Sequence, residues 1–156
     1  MHGSVKVIKE LNDALSSELT AIVQYMVQSE MCDNWGYKRL AGITKNRAIE
    51  EMKHAEVLIE RILFLDGMPV VSVPLKPQPG TGVKSQFEIA LKDELGAIKE
   101  YNNASRVCRE EGDNGTKDLF EKLLHDEEAH ADFLETQLFT IEEISIANYL
   151  AEQMKP

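Results

Sequence analysis

Two short stretches of the chain place a carboxylate and an imidazole at the same spacing, EEMKHAE (50–56) and DEEAHAD (126–132). Both contain Glu-x-x-His-Ala, as Glu51, His54 and Ala55 in the first and as Glu127, His130 and Ala131 in the second. Residues three apart on a helix share a face, so each pair would present an oxygen and a nitrogen donor to one point. Two more glutamates stand in register with them: Glu18 lies 33 positions before Glu51, and Glu94 lies 33 before Glu127. Mixed carboxylate and imidazole donors suit iron or manganese better than copper, whereas zinc prefers fewer ligands in a closed set. A pair of redox metals held this way implies chemistry with O2 or H2O2, the divalent ions giving up electrons.

The apolar residues around these six show where they must sit. One stripe reads Leu11, Leu15, Glu18, Ile22, Tyr25, and another Glu51, His54, Leu58, Ile62, Leu65. A third reads Phe87, Leu91, Glu94, Ile98, Tyr101, and a fourth Phe120, Leu123, Glu127, His130, Leu134. Every ionisable group thus occupies a place that the helical period assigns to the core. Burying an unpaired carboxylate costs several kcal/mol, and four together repel one another. No lysine or arginine stands in these stripes within a turn of the acids. Protonation is one escape; two divalent cations are a better one, since they neutralise four carboxylates while two imidazoles complete the coordination. One Glu from each of two helices, with Glu-x-x-His from each of two others, is the ligand pattern of ferritin-like di-iron carboxylate proteins. Tyr25, one turn beyond Glu18, reads either as a donor of a hydrogen bond or an electron, or as an aromatic core residue. Tyr101 reads as packing.

The elements that position the six follow from periodicity. Apolar residues recur at helical spacing over about 4–34, where Val5, Ile8, Leu11, Leu15, Ile22 and Met26 step by three and four. Ser4 is a natural N-cap for that segment. Further helices are predicted over about 37–65, 84–111 and 116–139, with a shorter one over 141–152. Short links join the first to the second and the third to the fourth, which makes two antiparallel hairpins. The link over 66–83, DGMPVVSVPLKPQPGTGV, carries four prolines. Extended, it reaches roughly 59 Å, whereas a helix of about 28 residues spans roughly 42 Å. It can therefore run the length of a bundle and start the third helix parallel to the second. SELTAIVQY (17–25) and DELGAIKEY (93–101) also match, so the pairs 4–65 and 84–139 read as an internal repeat with an approximate two-fold axis. The predicted fold is all-α, a ferritin-like four-helix bundle with one long crossover between helices 2 and 3 and a short C-terminal fifth helix, in a single domain over 1–156.

Composition narrows the function. The 156 residues are 43% hydrophobic, enough for a core that buries roughly two thirds of the unfolded surface. A formal net charge of −10 argues against nucleic-acid and anionic-membrane partners and suits attraction of cations. MHGSVKVIKEL has no apolar run of signal-peptide length, and nowhere do about 18 apolar residues run together, so a soluble cytoplasmic protein is expected. Cys32 and Cys108 fall at opposite ends of antiparallel helices and are not expected to pair. His2 and His125 read as solvated.

With those residues in view, the chain resembles the bacterioferritins over essentially its full length. The likeness rests on SELTAIVQY, NWG (34–36), EEMKHAE running into ERILFLDGMP (60–69), DEEAHADFLETQL (126–138) and NYL (148–150). It implies a hollow 24-subunit shell built from dimers that oxidises Fe(II) with O2 or H2O2 and stores the ferric mineral inside. Glu18 and His54 would hold one iron, Glu94 and His130 the other, with Glu51 and Glu127 bridging. The resemblance also implies haem (b-type or a related porphyrin) at a two-fold dimer interface, ligated by Met52 of each subunit, and a ferredoxin-type reductant for iron release. Met52 lies about 100° around its helix from Glu51, away from the metal seam. Some members carry His and Asp on the cavity-facing side of the second helix, where this chain has Asn46 and Glu50, so an inner-surface iron site is not expected. Leu58 and Phe133 stand where some members have Tyr and Trp. The competing function is a non-storage di-iron or di-manganese oxidase or peroxidase; the lack of Cys-x-x-Cys pairs counts against a rubrerythrin, and the full set of six ligands against a haem assembly with vestigial carboxylates.

Overall fold

The computed structural model describes residues 1–70 and 77–156, so the middle of the long link, with Pro74, lies outside the described residues. Among the described residues five helices follow in order: α1 (Val5–Asn34), α2 (Lys38–Phe64), α3 (Val83–Glu110), α4 (Asn114–Ile144) and α5 (Ile146–Gln153). Ser4 caps α1, its Oγ accepting from the Lys6 amide at 3.2 Å. Asp113 caps α4 in the same way, accepting from the Thr116 amide at 2.9 Å.

The two hairpin turns are copies of one device. α1 is closed by Gly36 at φ 88°, with the Tyr37 amide donating to the Cys32 carbonyl. α3 is closed by Gly112 at φ 74°, with the Asp113 amide donating to the Cys108 carbonyl. Left-handed backbone of this kind is where glycine has no Cβ penalty. α1 packs on α2 and α3 on α4, while α1 also meets α3 across the bundle.

The described ends of the link fix the topology. Asn12, early in α1, donates to the Met68 carbonyl and accepts from the Val70 amide. Gln24 and Gln28, later in α1, accept from the Gln78 amide and donate to the Pro79 carbonyl. The link therefore travels in the same direction as α1, from the end of α2 to the far end of the bundle, and α3 starts parallel to α2. Among the described residues no helix is long and apolar enough to cross a membrane.

Two hydrophobic clusters form the core. One gathers Leu11, Leu15, Leu58, Ile62, Tyr101 and Phe120; the other gathers Tyr25, Leu40, Phe87, Ala90, Leu134 and Tyr149. The structure departs from the periodicity in two places. Val5 and Met26, expected on the core stripe of α1, are exposed, and Val7 is fully buried instead. α4 does not stop near 139 but continues to Ile144, and α5 begins at Ile146. The break is the backbone of Ser145, at φ 72° and ψ 154°, rather than any helix-breaking residue type. α5 then folds back, its Tyr149 ring edge-on to Phe87 and its hydroxyl donating to Gln137 Oε1 at 2.7 Å.

Candidate metal centre

The four long helices each bring their predicted donors to one level of the bundle. Glu18, Glu51, His54, Glu94, Glu127 and His130 are all at most 7% exposed. They fall into two groups, Glu18, Glu51, His54 and Glu127, and Glu51, Glu94, Glu127 and His130, with the donor atoms of each group within 4.8 Å of one another. Glu51 and Glu127 belong to both groups, which is the geometry of two bridging carboxylates between two ions. His54 Nδ1 stands 3.1 Å from Glu51 Oε2, 3.1 Å from Glu127 Oε1 and 3.5 Å from Glu18 Oε1. His130 Nδ1 stands 3.0 Å from Glu51 Oε1, 3.3 Å from Glu127 Oε2 and 3.5 Å from Glu94 Oε1. The two imidazoles are nearly parallel, 13° apart in plane, with centroids 6.2 Å apart.

Three polar atoms in this layer, Glu18 Oε2, Glu51 Oε1 and His130 Nδ1, are buried without a hydrogen bond. Orphaned donors and acceptors are rare in folded interiors, and here all three are atoms that a cation would satisfy. The residues fit a pair of divalent ions.

The electrostatics tell the same story. Burial, then the contact with Glu18, pushes the Glu51 carboxyl up to about 8. Burial, then the contact with Glu127, pushes Glu94 up to about 11. For His54, burial works against the charge, but the hydrogen bonds to Glu127, Glu18 and Glu51 outweigh it and raise the imidazole far above its ordinary range. Protons thus do provisionally what divalent cations would do fully, which is to offset like charges crowded in low dielectric.

The outer nitrogen of each imidazole meets a carboxylate on the opposite helix. His54 Nε2 is 2.9 Å from Asp126 Oδ2, and His130 Nε2 is 2.8 Å from Glu50 Oε2, which also accepts from Arg47 at 3.2 Å. Such partners fix ring orientation and leave the other nitrogen free for a metal. Sequence reasoning missed this pairing, yet its signal was present. Each motif carries an acid directly before its ligand glutamate, and in antiparallel helices that position faces the partner's histidine.

Tyr25 donates to Glu94 Oε1 at 2.6 Å, so the hydrogen-bond reading of that residue fits the geometry. Tyr101 packs in the core as expected, and its hydroxyl also donates to Glu18 Oε1, the reciprocal contact. Burial first, then the adjacent glutamate, raises both phenols well above their ordinary value. Met52 is 45% exposed on the outside of α2, off the metal layer, near the exposed Ile49 of the same helix. His2 and His125 are exposed, and Cys32 and Cys108 are free and buried in different core clusters.

Known proteins bear on this geometry. The ferritin-like domain family matches residues 8–144. A bacterioferritin of Mycolicibacterium paratuberculosis is 41% identical over 152 residues, covering 97% of this chain and 96% of that protein. A bacterioferritin of Brucella melitensis is 43% identical over 149 residues, covering 96% and 92%. One from Rhodobacter capsulatus is 45% identical over 138 residues, covering 88% and 86%.

Proposed function

The chain belongs to the ferritin-like family, among the bacterioferritins, and from that premise we propose that it is an iron-storage ferroxidase. Its substrate is Fe(II), bound two ions at a time, and its oxidant is O2 or H2O2. With H2O2 the balance is two Fe(II) and two protons giving two Fe(III) and two waters; with O2, the same two electrons and two protons give H2O2. The single observation that carries this reading is the pair of four-donor groups sharing Glu51 and Glu127. Four carboxylates against two divalent ions sum to zero, so the layer would hold the pair without a further counter-ion.

Each residue has a role in that reading. Glu18 and His54 hold one ion, Glu94 and His130 the other, and Glu51 and Glu127 span both. Asp126 and Glu50 orient the imidazoles through their outer nitrogens. Tyr25 steadies Glu94 through its hydrogen bond and would supply an electron. The apolar clusters on either side close the layer along the length of the bundle.

The bacterioferritin premise extends the proposal to a 24-subunit cytoplasmic shell built from dimers, to haem, and to a ferredoxin-type reductant. Met52 fits a haem ligand shared between two copies, since its thioether is exposed beside Ile49 rather than committed to the core. Glu50 is engaged with His130 and Arg47, which does not favour a separate iron site on that face.

The test is an Fe(II) titration of metal-free protein in air, following near-UV absorbance of the ferric product. A fast phase that saturates at two irons per chain, one for each donor group, followed by slow growth far beyond it, supports oxidation and storage together. Growth that stops at the first plateau leaves a non-storage oxidase. Absence of a fast phase, unchanged by Glu127→Ala, removes the site.

A further inference from the structure

The two donor groups are copies of each other in their ligands but not in what stands behind them. His130 meets Glu50 and His54 meets Asp126, and these outer carboxylates are 76 positions apart, as are the ligand glutamates Glu51 and Glu127. One turn before each outer carboxylate the copies part. Position 47 on α2 is arginine, whereas its counterpart on α4, position 123, is a leucine buried in the core. Arg47 Nη1 donates to Glu50 Oε2 at 3.2 Å, the same oxygen that His130 Nε2 meets at 2.8 Å. Its guanidinium also lies over the Phe133 ring, 5.6 Å from the centroid. Residues three apart share a helix face, so Arg47 and Glu50 of α2 close a square with Phe133 and His130 of α4. In the other copy the corresponding four are Leu123, Asp126, His54 and Val57, with an apolar residue where the arginine stands.

Water screens the two outer carboxylates about alike, since the side chains of Glu50 and Asp126 are 51% and 59% exposed. The Arg47 side chain is only 16% exposed, its stem covered and its head stacked on the ring. Among the described residues no lysine or arginine pairs with Asp126. A carboxylate bonded to the outer nitrogen of a ligand histidine strengthens the inner nitrogen as a donor. Glu50 shares its charge with Arg47 on the very oxygen that meets His130, so it does this less than Asp126 does for His54. Summed charge works in the same direction. Each half has one terminal glutamate and one outer carboxylate, but Arg47 offsets one of those charges in the His130 half.

We propose that Arg47 is a positioning residue that makes the two iron sites unequal: acting through Glu50 and His130 it weakens the Glu94/His130 site, so that Fe(II) fills the Glu18/His54 site first and leaves it last. This assignment rests on the ferroxidase reading for the presence of two ions, and adds which of them is held more tightly. Tyr25 then serves the more exchangeable ion, because it bonds Glu94 and lines a small cleft together with Arg47 and Phe133.

Co(II) binding to the assembled, metal-free protein, read by visible absorbance and calorimetry, tests this with one histidine removed at a time. His130→Ala leaves the Glu18/His54 site and His54→Ala leaves the Glu94/His130 site; the former is expected to bind Co(II) about tenfold more tightly. Arg47→Leu, which installs the residue of the other copy, is expected to tighten the site left in His54→Ala by about tenfold and to move the one left in His130→Ala by less than about twofold. Arg47→Lys keeps the charge and is expected to keep the weak site weak. In the chain with both histidines, Arg47→Leu is expected to draw the two binding steps together, and that measurement stands alone if a histidine variant does not assemble. Equal affinity in the two histidine variants overturns the proposal, as does an Arg47→Leu change that loosens the Glu94/His130 site or moves both sites alike. Failure of the unaltered protein to bind two Co(II) per chain, one for each donor group, would overturn the ferroxidase reading itself and this assignment with it.

Discussion

Each terminal carboxylate of the metal layer leans on a phenol from the facing helix, Glu94 on Tyr25 and Glu18 on Tyr101. A hydrogen bond to a charged group contributes about 1.5–3 kcal/mol, and removal of the hydroxyl leaves the ring and its packing in place. Tyr101→Phe is therefore expected to weaken one of the two Co(II) sites by about tenfold or more while the stoichiometry stays unchanged, as read by visible absorbance in a Co(II) titration. At the same scale, the protons on the buried acids set a pH dependence. Glu51, raised to about 8 from 4.5, holds in the folded chain a proton that the unfolded chain releases. Glu94 and His54 are raised too, so all three act with the same sign. The metal-free fold then loses stability as pH climbs from about 5 toward 8, and divalent metal, which displaces those protons, stabilises it more at the upper end of that window. Melting temperatures with and without Co(II) across that range check both trends; a metal-induced gain that shrinks as pH rises would contradict them.

At the scale of elements, one junction ties the two hairpins together. Arg61 near the end of α2 donates to Thr116 at 2.9 Å and to Asp113 at 3.1 Å, while Asp113 caps α4. One side chain thus closes a helix and ties the two hairpins together. Asp113→Ala is expected to cost about 1–2 kcal/mol in chemical denaturation, from the lost cap and the half-buried guanidinium left without it. The α4–α5 break is the opposite case, a residue held where its side chain is unfavourable. Ser145 sits at φ 72° and ψ 154°, a region that glycine enters freely. Ser145→Gly is expected to stabilise the fold by about 1 kcal/mol, the relief of backbone strain exceeding the added freedom of the unfolded chain.

The whole molecule presents an apolar pair that its own core does not use. Ile49 and Met52 are exposed on α2, one turn apart on one face. A pair of that kind, with the thioether pointing outward, is where the proposed dimer would close. Ile49→Asp buries a charge in such an interface, so sedimentation is expected to show a smaller assembly whose chains still bind two Co(II) each, one for each donor group. An unchanged assembly would place the interface elsewhere.

The six candidate donors were legible in the order of residues, because helical periodicity and equal spacing are one-dimensional quantities. Glu18, Glu51, His54, Glu94, Glu127 and His130 fell on apolar stripes, and a shared core level gathers them. The crossover was legible for the same reason, as a matter of chain length against helix length. Hydrogen-bond partners were not. Tyr101 with Glu18, Asp126 with His54 and Glu50 with His130 join residues 72 to 83 positions apart. Whether such pairs meet depends on the rotation of each helix and the register between helices, which packing of the whole bundle decides. The same holds for Val7 taking the core place expected of Val5, since only packing of the bundle selects which side of the first turn is covered. A cavity between α1 and α3 belongs there too: Ala21 and Ala97 line it together with four of the buried glutamates, and only tertiary structure brings them together.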